Sequence, residues 1–116
     1  VYQLSIKKAY VSIIVMLNEI TDNNIDELSR NRLVVLFTSP WCSGCKKVEP
    51  FMEHLSLTYP EIIFGGMDIS KNTKTPSNMG VLSLPTVIAF KDGTEFERIA
   101  GEPTKHEMER LLKDLA

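Results

Sequence analysis

The chain has 116 residues, 43% hydrophobic and 24% charged, a composition ordinary for a soluble globular protein and long enough for one domain with its own core. Thirteen basic and fifteen acidic residues leave a formal charge of −2, and no basic stripe or aromatic-interleaved cluster appears, which argues against nucleic acid. Two cysteines cannot build the disulfide framework of a small secreted module, and no repeat or Gly/Ser linker divides the chain. A single domain over 1–116 is therefore expected, with 1–10 as an N-terminal extension.

Lys7-Lys8 followed by an apolar stretch from Ala9 to Leu17 has the outline of a short signal peptide, but no small-residue cleavage site follows it. The stretch is also short of the roughly 20 apolar residues that span a bilayer. Val11, Ile13, Val15 and Leu17 form a β-branched, alternating run that reads as a strand, while Ile6, Tyr10, Ile13, Leu17 and Ile20 keep a helical reading open. The chain opens on Val1 rather than Met, so an upstream segment and export stay open beside a cytoplasmic location.

Thr21-Asp22-Asn23-Asn24 offers capping residues for a short helix carrying Ile25 and Leu28 and ending near Asn31. Leu33 to Phe37 is a continuous apolar run, the pattern of a strand buried on both faces. From Cys42 to Tyr59 the period becomes helical, with Val48, Phe51, Met52, Leu55 and Tyr59 on one face and a kink expected at Pro50.

Ile62 to about Ile69 reads as a strand, and Asn72 to Gly80 as a loop with a short helix. Thr86 to Phe90 is the next strand, Lys91-Asp92-Gly93-Thr94 a hairpin turn, and Glu95 to Ala100 its antiparallel partner. Pro103-Thr104 opens a last helix with Met108, Leu111, Leu112 and Leu115 inward. The order β-α-β-α-β-α-β-β-α makes this an α/β chain, with a parallel core sheet, helices on both faces and an antiparallel edge.

The cysteines sit three apart in Trp41-Cys42-Ser43-Gly44-Cys45, at a strand-to-helix junction. A helix N-terminus presents unpaired N–H groups and partial positive charge, both of which favour a thiolate. The i, i+3 spacing brings the second sulfur to the same side of the helix. A redox couple competes here with a structural disulfide, half of a zinc site and an iron–sulfur cluster shared across a dimer. A four-residue ring restrains little unfolded-state freedom, and His54 and His106 lack finger spacing and read as solvated helix positions. Redox chemistry needs no metal and no bound cofactor, because the dithiol carries the two electrons itself.

Several separated signals then coincide: the WCSGC segment after an apolar strand, Lys46, Pro50, Leu84-Pro85-Thr86 forty residues past the second cysteine, Lys91-Asp92-Gly93, and Gly101. Together they resemble the thioredoxin family over roughly Val11 to Ala116. The resemblance implies a thioredoxin fold with a central mixed five-stranded sheet. It also implies a cis peptide bond between Leu84 and Pro85 beside the dithiol. The implied activity is thiol–disulfide exchange: Cys42 attacks a protein disulfide and Cys45 resolves the mixed disulfide. Trp41, Leu84 and Pro85 would frame the substrate contact, with substrate backbone pairing at Leu84, while Ser43, Gly44 and Lys46 modulate the pair. Disulfide-containing proteins and a reductase acting in trans are the implied partners, and a monomer is expected. An exported disulfide oxidase or isomerase, and a non-enzymatic adaptor using the same patch, are the alternative readings.

The chain departs from the family pattern at several places. Ser43-Gly44 replaces the common Gly-Pro between the cysteines, and Thr38 replaces an aromatic residue. The family's buried acid, six positions before the first cysteine, is Leu36, and its lysine companion is Gly66. Asp68 and Glu49 are the candidates to replace that acid as a base for Cys45.

Overall fold

The computed structural model describes residues 17–116. The expected strand through Val11, Ile13 and Val15, and the proposed extension over 1–10, lie outside the described residues. Nine elements follow, in the anticipated order from α1 onward, with β1 lying beyond the run read as the first strand: β1 (Asn18–Glu19), α1 (Ile25–Leu28), β2 (Leu33–Thr38), α2 (Ser43–Ser56), β3 (Ile63–Asp68), α3 (Lys74–Asn78), β4 (Thr86–Lys91), β5 (Thr94–Ala100) and α4 (Lys105–Leu115).

The strands form one sheet in the order β1-β3-β2-β4-β5. β3 is parallel to β1 and β2, whereas β4 is antiparallel to β2 and β5. The sheet is thus the mixed five-stranded one that the family resemblance implies, whereas the element pattern alone reads β4 as part of a parallel core. The segment from Asp68 to Thr86 carries a helix of only five residues, and it delivers β4 to the sheet in the reversed direction.

Strand β2 is buried along its apolar length because both of its faces are covered. Val34 and Leu36 pack with Val48, Met52 and Leu55 of α2 and with Met108, Leu111, Leu112 and Leu115 of α4. Leu33, Val35 and Phe37 point the other way, into a cluster with Ile20, Ile25, Met67 and Ile88. The period of two along β2 therefore divides one apolar run between two half-cores. The last helix starts on a capping box: Thr104 accepts from the Glu107 N–H at 3.0 Å, and Glu107 accepts from the Thr104 N–H at 2.8 Å.

The capping residues before α1 behave differently from the expectation. Asn24 makes no side-chain cap on its own helix. The Asp22 carboxylate instead accepts from the Lys74 N–H, the Thr75 N–H and the Thr75 hydroxyl, at 3.2, 2.9 and 2.7 Å, capping α3 from across the fold. Thr73, the residue before α3, offers it no side-chain cap, so the orphan N–H groups are satisfied by a distant carboxylate.

Arg98 on β5 holds the loop that leads to β4. Arg98 binds Glu95 with two nitrogens at 2.7 Å each and donates to the Met79 carbonyl at 2.8 Å. At the hairpin, Asp92 (φ 55) and Gly93 (φ 86) are both left-handed, as a two-residue turn with right-handed strand twist requires.

Candidate active site

Three segments from distant parts of the chain meet at one end of the sheet. The first is the junction between β2 and α2. Cys42, extended at φ −88 and ψ 103, is the N-cap of α2, and its sulfur accepts from the Cys45 N–H at 3.1 Å. Sulfur is a weak acceptor when neutral, so this bond strengthens when Cys42 becomes a thiolate. The helix end adds its partial positive charge.

Cys42 and Cys45 are joined as a disulfide with Cα atoms 5.3 Å apart. Cys42 is half-buried, whereas Cys45 is only 1% exposed. The Cys45 sulfur lies 3.9 Å from the Phe37 carbonyl, which becomes a hydrogen-bond acceptor for its thiol once the pair is reduced. The two sulfurs are therefore inequivalent: one faces outward on a helix N-terminus, and the other sits behind it against β2.

The second segment is Leu84-Pro85, joined by a cis peptide bond. Leu84 is half-buried, Pro85 buried, and the Thr86 hydroxyl donates to the Ser83 carbonyl at 2.8 Å, closing the turn into β4. The third segment is Gly101-Glu102. Gly101 takes φ +88, and its N–H donates to the Pro85 carbonyl at 2.8 Å. This bond ties the loop before α4 to the proline loop.

The remaining anticipated residues fall around this junction. Trp41 is 80% exposed beside Cys42, Ser43 and Lys46 are exposed, and Gly44 is half-buried. His54 and His106 are exposed on α2 and α4. The helix runs on through Pro50 to Ser56, and its inward face carries Val48, Met52 and Leu55 as anticipated.

An open cavity of about 470 Å³ lies beside α2, lined in part by Thr38, Lys46, Glu49, Glu53, Gly66 and Asp68. The two candidate bases both face it, but neither hydrogen-bonds Cys45 among the described residues. The Asp68 carboxylate is turned to Ser70, whose hydroxyl and N–H donate to it at 2.6 and 2.8 Å. Those bonds, the hydroxyl first, hold its carboxyl below the ordinary value, so it stays ionised rather than poised to accept a proton. Burial, then the Glu49 charge, push the Glu53 carboxyl upward.

Residue-by-residue reading missed Glu102. Its side chain lies over Gly44, so closely that a Cβ built there would stand 2.8 Å from Glu102 Oε2. The only signal was an acidic residue directly after Gly101, with nothing local to say where its loop would land.

Comparison with known proteins agrees with this geometry. The family model described as Thioredoxin matches residues 12–114. The chain is 33% identical over 98 residues to a thioredoxin of Chlamydia pneumoniae, covering 84% of this chain and 96% of the relative. It is 36% identical over 92 residues to a thioredoxin of Mycobacterium bovis, covering 78% and 79%. The crystal structure of oxidised mitochondrial thioredoxin 3 from Saccharomyces cerevisiae superposes with a TM-score of 0.80 at 25% identity, covering 89% of this chain and 98% of that one.

Proposed function

The chain belongs to the thioredoxin family and is a protein disulfide oxidoreductase, and from that premise we propose how its residues divide the reaction. Cys42 is the attacking thiolate. Its sulfur strikes one sulfur of a substrate disulfide, a mixed disulfide forms at Cys42, and the other substrate sulfur leaves as a thiolate that takes up a proton. Cys45, deprotonated, then attacks the Cys42 sulfur. The second substrate sulfur leaves, the Cys42–Cys45 disulfide closes, and two electrons have passed to the substrate.

The observation that carries this assignment is the inequivalence of the two sulfurs. Cys42 caps α2 and accepts the Cys45 N–H, whereas Cys45 is 1% exposed and reachable only by a partner already attached to Cys42. Trp41, Leu84 and Pro85 provide the surface on which substrate backbone lies, and Ser43, Gly44 and Lys46 tune the pair. The direction is reductive, toward disulfide-containing proteins, and a thioredoxin-reductase-type electron donor acting in trans reduces the Cys42–Cys45 disulfide again. The protein works as a cytoplasmic monomer, and residues 1–116 form one domain with 1–10 as an extension. No helix among the described residues is long and apolar enough to cross a membrane. The exported oxidase or isomerase and the non-enzymatic adaptor are not favoured by these relatives.

The test is a Cys45→Ser variant challenged with a disulfide-containing protein, beside the reciprocal Cys42→Ser variant. A mixed disulfide at Cys42 should accumulate in the first, and a thiol reductant should release it. If that variant traps nothing when reduced, or if Cys42→Ser traps the substrate at Cys45 instead, the division of roles is wrong.

A further inference from the structure

Gly44 and Glu102 meet although they lie 58 positions apart in the chain. A Cβ at Gly44 would lie 2.8 Å from Glu102 Oε2 and 3.4 Å from both Cγ and Cδ. The glycine between the cysteines thus leaves room for a carboxylate directly over the dithiol turn. The loop that carries it is fixed on both sides. Gly101 donates to the Pro85 carbonyl at 2.8 Å, and Thr104 is held by the capping box of α4. Glu102 is exposed and makes no ion pair among the described residues. The basic residues Lys46 and Lys47 lie on the following turn of α2, also exposed.

A carboxylate in this place does not help the chemistry of Cys42. The positive helix end attracts it, yet its charge opposes the formation of a neighbouring thiolate. Its charge instead faces whatever chain approaches the disulfide across the proline loop. We propose that Glu102 is a specificity-determining residue, selecting disulfide substrates that carry lysine or arginine beside the cysteine attacked by Cys42. The inference rests on the oxidoreductase reading above and adds a substrate class to it. Opposite unit charges a few ångströms apart at a wet surface change a rate constant by about five-fold, and salt screens them.

The experiment uses three disulfide peptides that differ only in one residue beside the target cysteine: lysine, glutamine or glutamate. Second-order rate constants for their reduction by the dithiol protein are measured at low salt, for the wild type, Glu102→Gln and Glu102→Lys. The wild type should prefer the lysine peptide over the glutamine peptide by about five-fold, with the glutamate peptide slowest. Glu102→Gln should bring the three rate constants together, and Glu102→Lys should reverse their order. High salt should flatten the wild-type preference. A preference that survives Glu102→Gln overturns the proposal, and so does a common change in all three rate constants, which would be an effect on the Cys42 thiolate alone. If the wild type reduces none of the peptides, the oxidoreductase reading itself fails and this inference falls with it.

Discussion

Leu36 stands directly opposite Gly66 in the parallel pairing of β2 with β3, so neither strand offers an ionisable group at this level of the sheet. Leu36 is fully buried against α2, and the nearest backbone contact for a Cβ at Gly66 would be the Leu36 carbonyl at 3.9 Å. The pair occupies the positions where the family resemblance anticipates an acid and a lysine. Asp68 and Glu49 line the adjoining cavity, and neither hydrogen-bonds Cys45 among the described residues.

Resolution of the mixed disulfide should therefore depend on the dissociation of Cys45 itself. With the first step completed in advance at Cys42, single-turnover release should accelerate about ten-fold per pH unit as pH rises from neutral, as expected of a step that needs a thiolate and has no base beside it. Stopped-flow measurements between neutral and alkaline pH check this. A rate that is already flat at neutral pH would show that another group accepts the proton.

Gly65 has no space for a side chain. A Cβ there would stand 2.3 Å from Ile20 Cγ1, 2.6 Å from Ile20 Cδ1 and 2.9 Å from the Asn18 carbonyl. Gly65→Ala should destabilise the protein by about 1–3 kcal/mol, because the clash overpacks a closed core. Ile20→Ala should relieve part of that loss, giving a non-additive double-mutant cycle in urea denaturation. The contact with backbone at Asn18 should keep the relief incomplete. Strict additivity would remove Ile20 as the cause.

Asp22, Asp68, Glu95 and Glu107 all hold their carboxyls below ordinary values. The Thr75 hydroxyl is the main cause at Asp22, the Ser70 hydroxyl at Asp68, the Arg98 guanidinium at Glu95, and the Thr104 N–H at Glu107. Each folded pKa lies below its unfolded value. Their stabilisation is therefore complete above the unfolded values, about 3.9 for Asp and 4.3 for Glu, and is lost as pH falls through the lower folded values. The Tm should decline below about pH 4.5. Asp22→Asn, which removes the charge that caps α3, should lower Tm at pH 7 and flatten the acid slope. An unchanged slope in calorimetry would discount the cap.

Glu53 has the opposite sign. Burial, then Glu49, raise its carboxyl, so its contribution is favourable at low pH and lost as pH rises through the raised folded value. Glu53→Gln should raise Tm at pH 7 and have little effect at pH 3. A gain of equal size at both pH values would mean that the charge is not responsible.

Thr104→Ala removes one half of the capping box that starts α4. The expected loss is about 1 kcal/mol, a fall of about 4 °C in Tm. Since Thr104 also closes the loop behind Glu102, the same variant should weaken the charge preference of the wild type for the lysine peptide. Thermal unfolding and the peptide rate constants are read on one sample.

Local pattern was enough to locate every element after Ile20. The apolar run at Leu33–Phe37, the period of α2 and the Asp92-Gly93 turn each record an interaction between near neighbours, and each appears close to its expected bounds, α2 ending three residues early at Ser56. The dithiol was equally legible, because an i, i+3 spacing after a buried strand is itself a geometric statement. The cis bond at Leu84–Pro85 came through family resemblance rather than from the residues themselves.

The amino-acid sequence by itself determined the order of elements, the two-faced burial of β2 and the placement of Cys42 at a helix start. All of these follow from side-chain periodicity and backbone capping over a few residues. Only the tertiary structure decided that β4 runs against β2, that Asp22 caps α3 rather than α1, and that Glu102 lies over Gly44. Each of those depends on where a connecting loop returns, and a loop's path is set by contacts between residues far apart in the chain, which no local pattern records.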